Sequence, residues 1–224
     1  MTGPRLMSRS GPLALLHTSP LHVPVFDALR DEDHQGLELR HLVAEELLTR
    51  ARSEGPDAVA EEVRAVLDRA VAEGARAVLC TCSTIGAVAE RSGAGVPVLR
   101  ADRPMAAAAV AAGPRVVVLA TLESTLGPTV ALVEEEARSA GRPVDVRTVV
   151  VGGAWALFEA GDIDGYARCV AAAADAVTDA DAIVLAQGSM APAQLLTATS
   201  APVLSSPRPG LAAGADAVRD RHAE

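Results

Sequence analysis

The chain has 224 residues, half of them apolar and only 2% aromatic, with a formal net charge of −9. That length can bury one sizeable core or two lobes of about 100 residues each, and the negative balance argues against a nucleic-acid or anionic-membrane partner. All 20 basic residues are arginines, which excludes a Schiff-base lysine, hence pyridoxal phosphate chemistry of the usual kind, and the lysine of a phosphate-binding P-loop.

In chain order, six short apolar runs read as strands: "PLALLHT" (12–18), "LELRHLV" (37–43), "RAVLCT" (76–81), "RVVVLAT" (115–121), "DVRTVVV" (145–151) and "DAIVLAQ" (181–187). A core of Ala, Val and Leu suits strands buried on both faces of a parallel sheet. Helical patterns lie between them, the clearest being "GPDAVAEEVRAVLDRAVAEG" (55–74). There Val59, Val63, Val66, Leu67, Ala70 and Val71 share a face, Pro56 suits the first turn and Gly74 the stop. "GPTVALVEEEARSAG" and "DIDGYARCVAAAADAVTDA" read the same way. Strand and helix in alternation mean βαβ units: an α/β fold of parallel sheets flanked by helices.

The halves echo each other. Moving "EGARAVLCTCSTIGA" by 105 residues lays it on "TDADAIVLAQGSMAP", each a strand that follows a helix and ends in small polar residues. Two pseudo-symmetric lobes with three strands each are expected, over 1–100 and 101–205, with a last helix in 206–224 completing the first lobe. The first ten residues read as loose. No segment approaches the roughly 20 apolar residues needed to span a bilayer.

Ligands of open parallel sheets bind beyond the carboxyl ends of the strands. Those ends carry His17-Thr18-Ser19, Cys82-Ser83-Thr84, Thr121 with Ser124-Thr125, and Gln187-Gly188-Ser189. Hydroxyls and free backbone N–H groups at helix starts suit small carboxylates or phosphates, although each corner alone is also an ordinary helix cap. No glycine-rich dinucleotide fingerprint follows the first strand.

Three cysteines and no secretory leader pattern point to a reducing cytoplasm. Cys80 and Cys82, two apart at the end of a strand, supply by themselves only half of a tetrahedral metal set. Neither Cys169 nor the scattered histidines complete a zinc set, so no metal is expected. Cys80 lies inside an apolar run and Cys169 among helical alanines, where a thiol is a small buried hydrophobe. Cys82 stands just before "STIGAVAE", where the positive end of a helix favours thiolate over thiol.

Six stretches, "LLHTSPLHVPVFDAL", "CTCSTIG", "RADRPMAAAAV", "LATLESTL", "GGAWALFEAGD" and "DAIVLAQGSMAPA", together resemble the aspartate/glutamate racemase superfamily. Its members include pyridoxal-independent amino-acid racemases, hydantoin racemases, maleate cis-trans isomerases and arylmalonate decarboxylases. The resemblance covers nearly the whole chain and implies two α/β lobes with the active site between them, no cofactor, and a small carboxylate substrate. A homodimer is left open. It implies that Cys82, with Ser83 and Thr84, is the catalytic thiol acting at the substrate's α-carbon. It also implies that Thr18, Ser19, Thr121 and Thr125 surround a carboxylate; the strand-end corners add His17, Gln187, Gly188 and Ser189 as further substrate-binding positions.

The chain departs from the pattern in the second lobe, where the family's second cysteine is replaced by Gln187 or, shifted by one, Gly188. Neither exchanges a proton at neutral pH. One-sided chemistry is therefore expected: protonation after decarboxylation, thiolate addition to a double bond, or a second base drawn from His17, His41, Glu45 or Glu46. Ala44 stands where the resemblance implies an aspartate. Arg100, Arg103 and Arg208 are either carboxylate ligands or solvated ion pairs. A protein that binds a carboxylate without turning it over is the reading from a different class.

Overall fold

The computed structural model describes residues 11–220; the first ten residues, expected to be loose, and the last four lie outside them. Two four-stranded parallel sheets form an α/β architecture. The first has the order β2-β1-β3-β4, with β1 Leu13–His17, β2 Leu39–Val43, β3 Ala77–Cys80 and β4 Val98–Arg100. The second repeats it as β6-β5-β7-β8, with β5 Arg115–Ala120, β6 Asp145–Val150, β7 Ala182–Leu185 and β8 Val203–Leu204. Each sheet thus has four strands rather than three. The two additional strands, β4 and β8, are only 3 and 2 residues long. They follow Pro97 and Pro202 at a sheet edge, too short to show a period of two.

Strand alternation sorts the core into layers. Ala14, Leu16, Val78 and Cys80 face Leu47 of α2 (Glu45–Glu54), Val63 and Leu67 of α3 (Ala60–Ala72), and Ile85 of α4 (Ser83–Glu90). Leu13, Leu15, Ala77 and Leu79 face the other way, onto Phe26 of α1 (His22–Asp33) and Leu211 and Val218 of α9 (Pro207–Asp220). The second sheet is covered on one face by α5 (Arg103–Ala112) and α6 (Leu126–Ala140), on the other by α7 (Ala154–Glu159) and α8 (Ile163–Asp175). The last helix comes close through glycine: a β-carbon on Gly210 would lie 2.5 Å from the Ala101 carbonyl oxygen.

The 55–74 pattern opens with a 3-10 turn over Pro56–Val59 before α3. Gly74 ends it at φ +94°, a backbone state that side chains oppose. Val59, Val63, Leu67 and Ala70 are fully buried. Among the described residues, no helix is long and apolar enough to cross a membrane.

Candidate active site

Strand β3 delivers its last residues to the gap between the sheets. Thr81 and Cys82 follow it, and Cys82, in extended form (φ −100°, ψ 117°), is the N-cap of α4, which has no side-chain cap. The first N–H groups of α4 therefore lack an intrahelical partner and are available to an anion. Cys82 lines a cavity of about 80 Å³ that draws on both sheets. Cys80 is turned into the core, 1% exposed, its thiol donating to the Cys82 carbonyl at 3.7 Å. Burial, and then the neighbouring Cys82, push its pKa up, so Cys80 stays protonated.

Thr18, Ser19, Ser83, Thr84, Thr125, Gln187, Gly188 and Ser189 also line this cavity. Ser83 Oγ donates across the lobes to the Ala186 carbonyl at 2.9 Å. Thr84 Oγ1 is buried without a hydrogen-bond partner, a donor left for a ligand. Thr125 Oγ1 donates to the Leu122 carbonyl at 2.7 Å. Gln187 mirrors Cys82: it is an extended N-cap (φ −120°, ψ 138°), here to the 3-10 segment Gly188–Leu195. Its Oε1 accepts from Thr121 N–H at 2.7 Å and Thr121 Oγ1 at 2.9 Å, so what it can offer a ligand is its amide N–H₂.

Two expected positions are not in the cavity wall. Thr121 stands one layer behind, tied to Gln187 and to the Tyr166 hydroxyl at 3.3 Å, which meets Ser189 Oγ at 2.9 Å. Burial pushes the Tyr166 phenol pKa up. His17 is fully buried on the Leu13–Leu15 side of β1, against Phe26. Alternation along the strand carries it there and turns Thr18 toward the cavity. Its Nδ1 meets Thr81 Oγ1 and its Nε2 meets His41 Nδ1, both at 2.8 Å, and His41 Nε2 reaches Asp27 Oδ1 at 3.3 Å. Desolvation, then His22 and His41, lower its pKa to about 3, so His17 is a neutral hydrogen-bonding link rather than a base.

The remaining expected bases stay out. His41 is occupied with His17, and Glu45 and Glu46 are exposed on α2. Arg100 is paired with Asp102 through two 2.9 Å contacts, Arg103 with Glu90, Glu135 and Glu136, and Arg208 with Glu32 and Asp33. None of these arginines lines the cavity.

Residues the strand-end reading misses complete the wall: His22 from α1, Leu48 and Arg52 from α2, Thr81, and Trp155 and Phe158 from α7. Trp155 and Phe158 stack at 4.9 Å, and the Arg52 guanidinium lies 5.8 Å from the Trp155 ring centre. A usable signal is composition. The chain has one Trp, one Tyr and two Phe, and "AWALF" sets two of the four side by side on one helical turn.

A family model described as Asp/Glu/Hydantoin racemase matches residues 14–213. No curated protein matches the chain. Among solved structures, the chain is similar to the aspartate racemase of Picrophilus torridus (13% identity, TM-score 0.74, covering 93% of this chain and 94% of that one). It is also similar to the glutamate racemase of Francisella tularensis in complex with D-glutamate (9% identity, TM-score 0.73, covering 95% and 83%). An arylmalonate decarboxylase mutant in a sulfate-associated form is 20% identical, with a TM-score of 0.61 and 93% of each chain covered. At such identities these likenesses speak for the fold. With the sequence model spanning nearly the whole chain and both sheets in place, the protein belongs to the Asp/Glu/hydantoin racemase family.

Proposed function

We propose that this protein is a cofactor-independent racemase or isomerase acting at the carbon next to a carboxylate of a small acid, with Cys82 as the proton-transferring thiol. One observation carries the reading: Cys82 caps an otherwise uncapped helix at the wall of an interlobe cavity whose other polar groups are mostly neutral hydrogen-bond donors. The substrate carboxylate sits on the first amides of α4 and the unpartnered Thr84 hydroxyl. The Cys82 thiolate takes the α-proton, and negative charge moves onto the carboxylate oxygens as an enediolate. Amides already aimed at those oxygens stabilise that charge without reorganising. Arg52, the one cationic side chain in the cavity wall, meets a second anionic group or the polar end of the substrate. Leu48, Trp155 and Phe158 give the apolar side of the pocket.

A second reading, decarboxylation of a malonate-type acid followed by one-sided protonation, is favoured by the absence of a thiol at Gln187-Gly188-Ser189. The test is incubation of enantiopure aspartate, glutamate and 2-phenylpropionate, and of phenylmalonate, in deuterium oxide. Exchange of the α-proton that disappears for at least one enantiomer in Cys82→Ala, with the fold intact, supports the racemase reading. Release of carbon dioxide from phenylmalonate instead supports the lyase. Saturable binding of these acids without either reaction defines a carboxylate-binding protein and ends both.

A further inference from the structure

We infer that His22 is the second proton-transferring group of this site, serving the face of the substrate carbon turned away from Cys82. The inference rests on the reading of Cys82 given above and deepens it from one-sided to two-sided chemistry.

Three observations place the imidazole. His22 lines the same cavity as Cys82. It is the first residue of α1 on the first lobe, yet its ring reaches the second-lobe corner: a β-carbon on Gly188 would stand 3.7 Å from His22 Nε2 and 3.8 Å from Cε1. The ring thus abuts the space into which a side chain at position 188 would project, which is open because residue 188 is glycine. Third, His22 Nδ1 is buried with no hydrogen-bond partner. A buried nitrogen left unpaired is unfavourable, and no acceptor pins the proton to Nδ1, so the ring is free to gain and lose it. His17 differs on each count: both its nitrogens are engaged and it does not reach the cavity.

Burial lowers the His22 pKa, so the resting ring is neutral and acts as a base. The proton inventory then closes without a co-reactant. Neutral His22 Nε2 removes the α-proton from one face while the C–H electron pair passes into the enediolate. The Cys82 S–H delivers its proton to the opposite face, leaving imidazolium and thiolate. The reverse passage uses thiolate as base and imidazolium as acid, and exchange with water restores the neutral pair.

The test follows both enantiomers of aspartate, glutamate and 2-phenylpropionate in deuterium oxide by proton NMR and chiral chromatography. In the wild type, both enantiomers of the accepted acid exchange and interconvert. In His22→Gln, the enantiomer whose hydrogen faces Cys82 exchanges with retention and the other becomes inert, lowering the ratio of inversion to exchange about 100-fold or more. A purely structural role for His22 would slow both enantiomers alike. Wild-type exchange confined to one enantiomer, or unchanged interconversion in His22→Gln, overturns the inference while leaving the role of Cys82 standing. No exchange of any acid by the wild type, or full exchange in Cys82→Ala, removes the underlying reading and this one with it. Should His22→Gln not fold, His22→Ala/Gly188→Cys places a thiol in the same space; inversion faster than in His22→Ala alone supports the inference, and equal rates overturn it.

Discussion

The corners that end β3 and β7 occupy equivalent places in the two sheets, 105 residues apart. Cys82 and Gln187 share an extended backbone, and each opens a helical segment that has no side-chain cap. The backbone is repeated but the chemistry is not. Around Cys82, the Thr84 hydroxyl and the first amides of α4 are uncommitted, whereas Gln187 is anchored to Thr121 and Ser189 to Tyr166. A repeated strand-end thus presents two helical N-termini to one cavity, and under the proposed function side-chain identity gives reactivity to one corner and binding to the other.

The largest break in this comparison is at the thiol. Cys82→Ala is expected to abolish interconversion and to lower exchange of the enantiomer whose hydrogen faces Cys82 by the 10²–10⁴-fold typical of a general acid or base, while the thermal midpoint stays near that of the wild type. The mirror change at the second corner is milder. Gln187→Leu removes an amide donor from the cavity and strands the buried Thr121 N–H and hydroxyl. A loss of about 2 kcal/mol, or roughly 30-fold, is expected, falling on KM more than on kcat. Steady-state kinetics on both variants separates the roles, and an equal collapse of kcat in the two would erase the distinction between the corners.

The layer behind the first corner gives a pH signature. His17 has a native pKa of about 3 against 6.5 for the free side chain. Below pH 6.5 the unfolded chain therefore binds a proton that the native protein refuses until pH 3. Stability from this group is complete above pH 6.5 and declines as pH falls through that window, by about 2–3 kcal/mol at pH 4.5. Urea unfolding at pH 7 and pH 4.5 measures the drop, and His17→Gln should shrink it; an identical drop in that variant would place the titration elsewhere.

Much of this architecture is legible in the sequence because its signals are local. The inner strands β1, β3, β5 and β7 bury continuous apolar runs, β2 and β6 are recognisable by Val and Leu although mostly open to solvent at the sheet edges, and α3 and α6 carry a clean helical stripe ended by Gly74 and Gly141 at positive φ. The site is legible where it follows from strand ends, as for Thr18, Cys82, Thr84 and Gln187. It is not legible where tertiary placement decides. His22, Arg52, Trp155 and Phe158 reach the cavity from helices whose orientation depends on how they pack; nothing in the neighbours of His22 and Arg52 along the chain marks them, and Trp155 and Phe158 are marked only by the pairing of aromatic residues in an aromatic-poor chain. His17 against Thr18 is the intermediate case: alternation from Leu13 and Leu15 fixes that they face opposite ways, but only the position of α1 shows which way is inward.

The smallest expected effect lies beside the largest. Cys80 and Cys82 are two residues apart, yet one sulfur is sealed among Ala14, Leu16, Val78 and Ile85 while the other meets the cavity. Cys80→Ala removes one buried sulfur and a weak hydrogen bond to the Cys82 carbonyl. A cost of about 1–2 kcal/mol is expected, with exchange activity within about twofold of the wild type. Iodoacetamide should accordingly modify the native protein at Cys82 and leave Cys80 untouched until unfolding, since a thiol held protonated by burial is a poor nucleophile. Peptide mapping after brief alkylation checks this, and early modification of Cys80 would mean that β3 opens far more readily than its packing implies.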